Sequence, residues 1–425
     1  MKKLNIAIVG LGNIGSYLFK YLKDNNKILT EKNNCQPIIK YVSAKNKNRK
    51  RNITIKRNQW LNNYLDATVK DDVDLIIELI GGAEGPAKKL VFNALKNKKH
   101  VVTANKALIA KYGDRLAKIA EKNKVNLEFE ASVCGGVPII RSLKEGLIAN
   151  KITKIYGIFN GTSNYILSSM DKENKEFNDV LIDAQNLGYA ETNPSADLNG
   201  DDVSSKLKIL TSLCFNSFLN NNIYVEGITQ IDKTDIDNAN KLGYKIKLLG
   251  FAELLNNKIY QRVHPTLIKK DSYVASIDGV LNAVIIDGKP VGQSTIQGEG
   301  AGAAATTSAL VSDISSVLRG NIKFPFSLSN KERKKLKFEN LDQRLFSAYL
   351  RFEVEDKPGI LSNITNIFSK NRISIKRLVQ NPYKKSSSIV IITHKSKDIF
   401  LKKTLREVDR KNFVKHKSKL IRIDD

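Results

Sequence analysis

Apolar residues cluster in short β-branched runs, separated by amphipathic stretches, through the first third of the chain. Residues 4–9 (LNIAIV) read as a buried strand, and Ile14, Leu18 and Leu22 behind them share one helical face. Residues 38–44 (IIKYVSA) and 74–82 (DLIIELIGG) repeat the strand pattern, and 91–97 is helical. Residues 100–123 pass from strand into helix, and 125–133 (VNLEFEASV) read as a further strand. Alternation at this spacing predicts an α/β fold, a Rossmann-type doubly wound parallel sheet.

The texture changes after Gly135-Gly136. Residues 151–160 and 257–263 read as longer strands of a separate sheet, with helices at 163–171, 177–187 and 201–215. Alternation and Asp-Gly turns over 273–297 predict antiparallel hairpins. A Gly/Ala-rich turn opens a helix near 301–319, expected to pack back on the first domain. The charged run within 321–343 reads as a linker. The rest follows the order βαββαβ, a ferredoxin-like unit. The expected domains are 1–135, an α+β domain over 136–320, and 344–425.

Composition narrows the class. Dividing 425 residues by ~150 gives about three domains. The three cysteines (Cys35, Cys134, Cys214) lie far apart with no C-x-x-C pair, which argues against a disulfide framework or zinc and for a cytoplasmic location. MKKLNIAIVG imitates a signal peptide, but it runs straight into GLGNIG without a small-residue cleavage site and reads as the first strand. No apolar run reaches the ~18 residues of a membrane span, so no membrane partner is expected. A net charge of +27, from 70 basic and 43 acidic residues, raises nucleic acid as a partner. The charge is spread along a chain rich in Lys, Asn and Ile, and a composition bias explains it as well; no nucleic acid is expected.

Candidate chemistry begins at Gly10-Leu11-Gly12-Asn13-Ile14-Gly15, directly after a strand and opening a helix. Gly10 permits the tight turn, Gly12 lets backbone approach a pyrophosphate, and Gly15 lets helix pack on strand. The second strand ends Val42-Ser43-Ala44 and continues Lys45-Asn46-Lys47-Asn48-Arg49. With no acid for the ribose hydroxyls and several cations for a 2′-phosphate, NADP is expected, with NAD as the alternative. In Thr103-Ala104-Asn105-Lys106 a strand meets a helix, and Lys106 falls in the first turn, where the helix dipole disfavours a cation. The reading is a lysine aimed at substrate; an exposed surface lysine is the competing one. Residues 184–206 (AQNLGYAETNPSADLNGDDVSSK) gather Glu191, Asp197, Asp201 and Asp202 ahead of a helix. Asp202 and Lys206, four apart on one face, form a carboxylate-held lysine suited to proton transfer, or an ordinary surface pair.

At this stretch the chain resembles homoserine dehydrogenase, over essentially its whole length. Ala184, Gly188, Tyr189, Ala190, Asn193-Pro194, Asp197-Leu198, Gly200, Asp202 and Lys206 match the family signature. Also similar are the glycine fingerprint, T-A-N-K at 103–106, F-E-A-S-V-C-G-G-V-P at 129–138 and N-G-T-S-N-Y at 160–165. The resemblance implies NAD(P)H-dependent interconversion of L-aspartate 4-semialdehyde and L-homoserine in threonine and methionine biosynthesis, with 136–320 as catalytic and dimerisation domain. It implies Lys206 as proton donor to the aldehyde oxygen, Lys106 binding substrate and cofactor near that oxygen, and Asp202 orienting substrate and lysine. Glu191 would hold the substrate amino group with Asp197 beside it, and Gly161 and Thr162 would line the pocket. Glu130 and the carbonyls of Val133, Gly135 and Val137 match the positions that hold a structural sodium ion. Cys134 sits where a small residue is common and brings a thiol near the site. Two adjacent ammonium groups would lower at least one pKa.

The tail resembles an ACT domain through Glu355-Asp356-Lys357-Pro358-Gly359-Ile360-Leu361. That parallel implies a regulatory pocket at Asp356, Pro358 and Gly359, threonine as effector, and a homodimer or homotetramer. Removing 344–425 is expected to spare catalysis and abolish threonine inhibition. Two rival readings are another amino-acid semialdehyde dehydrogenase on this scaffold, and a non-catalytic amino-acid sensor that binds nucleic acid.

Overall fold

The computed structural model describes residues 2–383 and 386–424. Five parallel strands, β1 (Lys2–Val9), β2 (Cys35–Ser43), β3 (Leu75–Glu78), β4 (His100–Thr103) and β5 (Leu127–Glu128), form one sheet in the order β2-β1-β3-β4-β5. Ile6, Ile8, Ile76, Ile77, Val101 and Val102 are fully buried, as in a parallel sheet covered on both faces. The winding reverses between β1 and β3, so a crevice opens at their carboxyl ends. Helix Ala303–Leu318 joins this layer: its Ala309, Leu310, Ile314 and Val317 share a core with Leu4, Ile6 and Leu18.

Two local expectations change. The strand expected over 125–133 shortens to Leu127–Glu128, followed by a 3-10 turn at Glu130–Ser132. Glu130 causes the turn: its N–H donates to Asp313 at 2.8 Å, and its carboxylate accepts the N–H groups of Ile140 and Arg141. A short helix, Asn26–Asn33, precedes β2 and carries little apolar signal of its own. It is tied down from outside, Asn26 donating to the Pro37 carbonyl.

A larger mixed sheet runs through the rest of the chain. Its strand order is Gly292–Glu299, Leu281–Lys289, Lys151–Ile158, Tyr244–Leu255, Lys258–Lys269, Lys419–Asp424, Leu345–Glu355, Ser386–Thr393, Ile375–Tyr383. The last four, with helices Ile360–Lys370 and Asp398–Asp409, make the βαββαβ tail. Lys419–Asp424 pairs in parallel with Lys258–Lys269, Arg422 opposite Thr266, so one sheet spans both regions. Buried ion pairs reinforce the seam. Arg422 reaches Asp398 at 2.6 Å and Glu226 at 3.1 Å. Arg351 reaches Asp235, on helix Lys233–Lys241, at 2.8 Å. Residues 321–343 are also pinned: Phe326 packs on Phe129, and Arg333 pairs with Asp114 at 2.7 Å. A tail joined in this way shares its sheet and buried ion pairs with the catalytic region, which weighs against the expectation that its removal spares catalysis.

Candidate active site

The glycine loop after β1 has the shape its sequence called for. Gly10 has φ +107°, and a Cβ there would stand 2.3 Å from the Leu79 carbonyl oxygen; one on Gly15 would stand 2.0 Å from that of Gly10. No atom lies within 4 Å of a Cβ built on Gly12, so that backbone is open to a ligand. Gly12 caps helix Asn13–Asp24 without a side-chain bond, and its first turn, with Asn13 and Ile14, carries no acid. Its unpaired N–H groups and dipole therefore suit a phosphate. Lys45 is exposed. The contact to the loop comes from Arg51, whose Nε donates to the Leu11 carbonyl at 2.9 Å. Its other donors bind the carbonyls of Asn46, Lys47 and Arg49, beside the Trp60 ring.

Two lysines, one from the carboxyl edge of the parallel sheet and one from the catalytic region, converge on one carboxylate. Lys106 is the first residue of helix Lys106–Asn123, capped by Asn105, whose side chain accepts the Leu108 N–H. Its Nζ lies 2.7 Å from Asp202 Oδ1. Lys206 Nζ lies 2.8 Å from Asp202 Oδ2 and donates to the Phe159 carbonyl at 2.6 Å. Asp202 and Lys206 are 4% and 7% exposed, one turn apart on helix Asp201–Phe215. Burial pushes the Asp202 carboxyl up, but the ammonium groups of Lys206 and Lys106 outweigh it and hold the acid far below the usual carboxylate range. Burial likewise pushes Lys206 down, and the charge of Asp202 outweighs that, leaving the amine above the ordinary lysine value. The expected lowering by two neighbouring ammonium groups is thus reversed for Lys206, because the carboxylate stands between them.

Asn160 links this cluster to Asp197, donating to Asp197 at 2.7 Å and to Asp202 at 2.8 Å. Thr162 donates to the Tyr189 carbonyl at 2.7 Å, tying helix Gly161–Glu173 to the loop that carries Glu191. Gly161 opens that helix against the Val280 carbonyl. Cys134 is buried close to Lys206, in a left-handed conformation (φ +55°), its thiol pushed up to about 11 by burial. It is a neutral neighbour and no nucleophile. Glu130 is buried with both carboxylate oxygens on backbone N–H groups, and burial pushes its carboxyl up to about 7. Val137 offers its carbonyl to Ile139 N–H at 2.7 Å, whereas those of Val133 and Gly135 accept no hydrogen bond among the described residues.

The structure thus holds an open glycine loop and two lysines on a shared carboxylate, and comparison with known proteins sets the lineage. The homoserine dehydrogenase family model matches residues 138–315, the homoserine dehydrogenase NAD-binding-domain model 10–130, and the ACT-domain model 348–410. The homoserine dehydrogenase of Neisseria gonorrhoeae is 37% identical over 100% of this chain and 99% of its own. The chain belongs to the homoserine dehydrogenase family. The Bacillus subtilis member is 37% identical over 93% of this chain and 92% of its own. The crystal structure of a homoserine dehydrogenase from Thiobacillus denitrificans superposes with a TM-score of 0.92 at 35% identity, covering 100% of this chain and 99% of that one. The chain is therefore an NAD(P)-dependent oxidoreductase of amino-acid biosynthesis with a C-terminal ACT domain.

Within this homoserine dehydrogenase fold the structure brings together Lys106, Lys206, Asp202 and Asp197. It leaves the Glu191 side chain exposed. In the tail, Asp356 and Pro358 are exposed on a turn, and Gly359 (φ +89°) opens helix Ile360–Lys370. Three positions were given no role in the sequence reading. Arg51 clamps the glycine loop. Asn160 sits between two acids, and an Asn directly after a strand and before a helix is a cap signal. Glu78, fully buried at the end of β3, accepts from Ile80 N–H, Gly81 N–H and the Thr103 hydroxyl, fixing the turn before Lys106. The signal for Glu78 was an acid closing an otherwise apolar strand. Among the described residues no helix is long and apolar enough to cross a membrane, and no three His, Cys, Asp or Glu side chains gather as a metal centre.

Proposed function

We propose that the chain reduces L-aspartate 4-semialdehyde reversibly to L-homoserine where Lys106, Asp202 and Lys206 meet. The shared carboxylate carries this reading, because it gathers two cations from separate helices at the mouth of the dinucleotide crevice. A reduced dinucleotide held on the Gly10–Gly15 loop would supply a hydride to the aldehyde carbon. Lys206, charged and nearly dry, delivers the proton to the aldehyde oxygen. Lys106 faces the same oxygen and stabilises its developing charge. Asp202 holds both amines in place and keeps Lys206 charged. Glu191 and Asp197 take the substrate amino group, beside Gly161 and Thr162. The rival reading as a non-catalytic sensor leaves this buried charge cluster without a purpose.

NADP is the preferred cofactor in this reading, since Lys45, Lys47 and Arg49 follow β2 and no acid ends it. The expected result is a higher kcat/KM with NADPH than with NADH on aspartate semialdehyde, the gap narrowing as salt screens the cations. Equal or inverted values refute the preference.

Sodium would be held by Glu130 with the carbonyls of Val133, Gly135 and Val137, supplying a fixed positive charge beside a buried acid. The carbonyls of Val133 and Gly135, which accept no hydrogen bond among the described residues, and the raised Glu130 carboxyl support this. With its folded-state value raised to about 7, Glu130 binds its proton more tightly in the native state. Stability is therefore lost as pH rises from the ordinary glutamate range through about 7. A cation on the ionised carboxylate offsets that loss. Sodium chloride should raise the melting temperature above choline chloride at pH 8, and the difference should vanish near pH 5; salts equal at both pH values would refute the site.

The chain is further read as a cytoplasmic homodimer or homotetramer of domains 1–135, 136–320 and 344–425, with 321–343 connecting, and with threonine acting at the Asp356–Gly359 turn. The free edge strand Gly292–Glu299 offers a surface for pairing.

A further inference from the structure

Asn160 is 4% exposed and has no part in the chemistry above. It caps helix Gly161–Glu173, its Oδ1 accepting the Ser163 N–H at 2.8 Å. That bond fixes the amide, since a flip would turn its NH2 toward another donor. Nδ2 therefore faces the site, and its two hydrogens go to different acids, Asp197 at 2.7 Å and Asp202 at 2.8 Å. The preceding residue, Phe159, gives its carbonyl to Lys206. One strand end thus holds the lysine by its backbone and both acids by a side chain.

We propose that Asn160 is a positioning residue for the reaction, holding Asp197 and Asp202 as one ionised pair so that Lys206 and the substrate amine meet a fixed double negative charge. This rests on the reading that Lys206 gives the proton and that Asp197 lies beside the substrate amine. Without the amide, two like charges in a buried pocket repel, and the relief is for one to bind a proton. Asp197 is the one that yields. Burial and then the charge of Asp202 already lift its carboxyl above the ordinary value, and the Asn160 hydrogen bond opposes them. Asp202 stays ionised between its two lysines. The charged groups facing Asp197 are Asp202 and Lys206 on helix Asp201–Phe215 and Lys106 on helix Lys106–Asn123.

Two substitutions in the full-length enzyme separate positioning from capping. Asn160→Ser keeps an oxygen for the Ser163 N–H but cannot span two acids. Asn160→Asp keeps the cap and adds a third carboxylate. Both should move the acid limb of the kcat/KM profile for aspartate semialdehyde upward, by about one pH unit for serine and further for aspartate. Both should raise the substrate KM, with the NADPH Kd and the serine variant's melting temperature unchanged. A serine-variant profile that superimposes on the unsubstituted enzyme overturns the proposal. So does a loss confined to melting temperature, which would make Asn160 a helix cap alone. Lys206→Ala is measured alongside: if it turns over normally, the reading of the site falls and takes this proposal with it, whereas a dead Lys206→Ala with a normal Asn160→Ser refutes the positioning role alone.

Discussion

Lys206→Ala is expected to lower turnover by about two orders of magnitude or more, in both directions, with little change in NADPH binding. The amine is buried and fixed between Asp202 and the Phe159 carbonyl, whereas Lys106, the other cation on that carboxylate, is about half exposed and has no second anchor of this kind among the described residues. Lys206→Arg should not rescue, because a guanidinium keeps its proton and does not fit the same carbonyl and carboxylate. The raised amine also gives the two directions different pH dependence. At neutrality Lys206 is an ammonium, ready to donate to an aldehyde and poor at accepting from an alcohol. Homoserine oxidation should therefore climb with pH above neutrality while reduction stays flat. Near-normal turnover in Lys206→Ala, or oxidation indifferent to pH between about 7 and 10, would sink the assignment.

A chain ending at residue 343 is expected to fail to fold, or to melt at least ~10 °C lower. Truncation strips the Lys419–Asp424 pairing from strand Lys258–Lys269, ten of whose residues are buried. It also leaves Asp235, fully buried, without Arg351. An unpaired buried charge of this kind costs about 3–5 kcal/mol, against a total stability of about 5–15 kcal/mol. Protonation relieves part of the Asp235 cost, since burial already pushes its carboxyl up to about 6. A soluble truncated enzyme with an unchanged melting curve would contradict the seam. Threonine regulation is better tested in the intact chain. Asp356→Ala, on an exposed turn, should lose inhibition and keep turnover; an unaltered inhibition curve would remove Asp356 from the effector site.

The parallel sheet and its glycine loop were legible because each strand is a short apolar run and each turn has its own residue type. Asp202 and Lys206 were legible because four residues make one helical turn. Strand Tyr244–Leu255 was not, since Lys245 and Lys247 interrupt its apolar run. Lys247 is in fact buried, its ammonium bonded to the Ile277 carbonyl at 2.6 Å and to Asp278 at 2.8 Å. The clamp made by Arg51 and the seam at Arg422 join segments far apart in the chain, and no local pattern announces them. The convergence of Lys106 on Asp202, 96 positions later, came from family resemblance and geometry, not from periodicity.

Lys106 and Asp202 stand on opposite banks of the cleft, one carried by the parallel sheet and the other by the mixed sheet. Their contact works as a latch. Any breathing motion that parts the two banks must pull this cation from this anion. Parting the banks should therefore become easier as ionic strength rises and screens that pair.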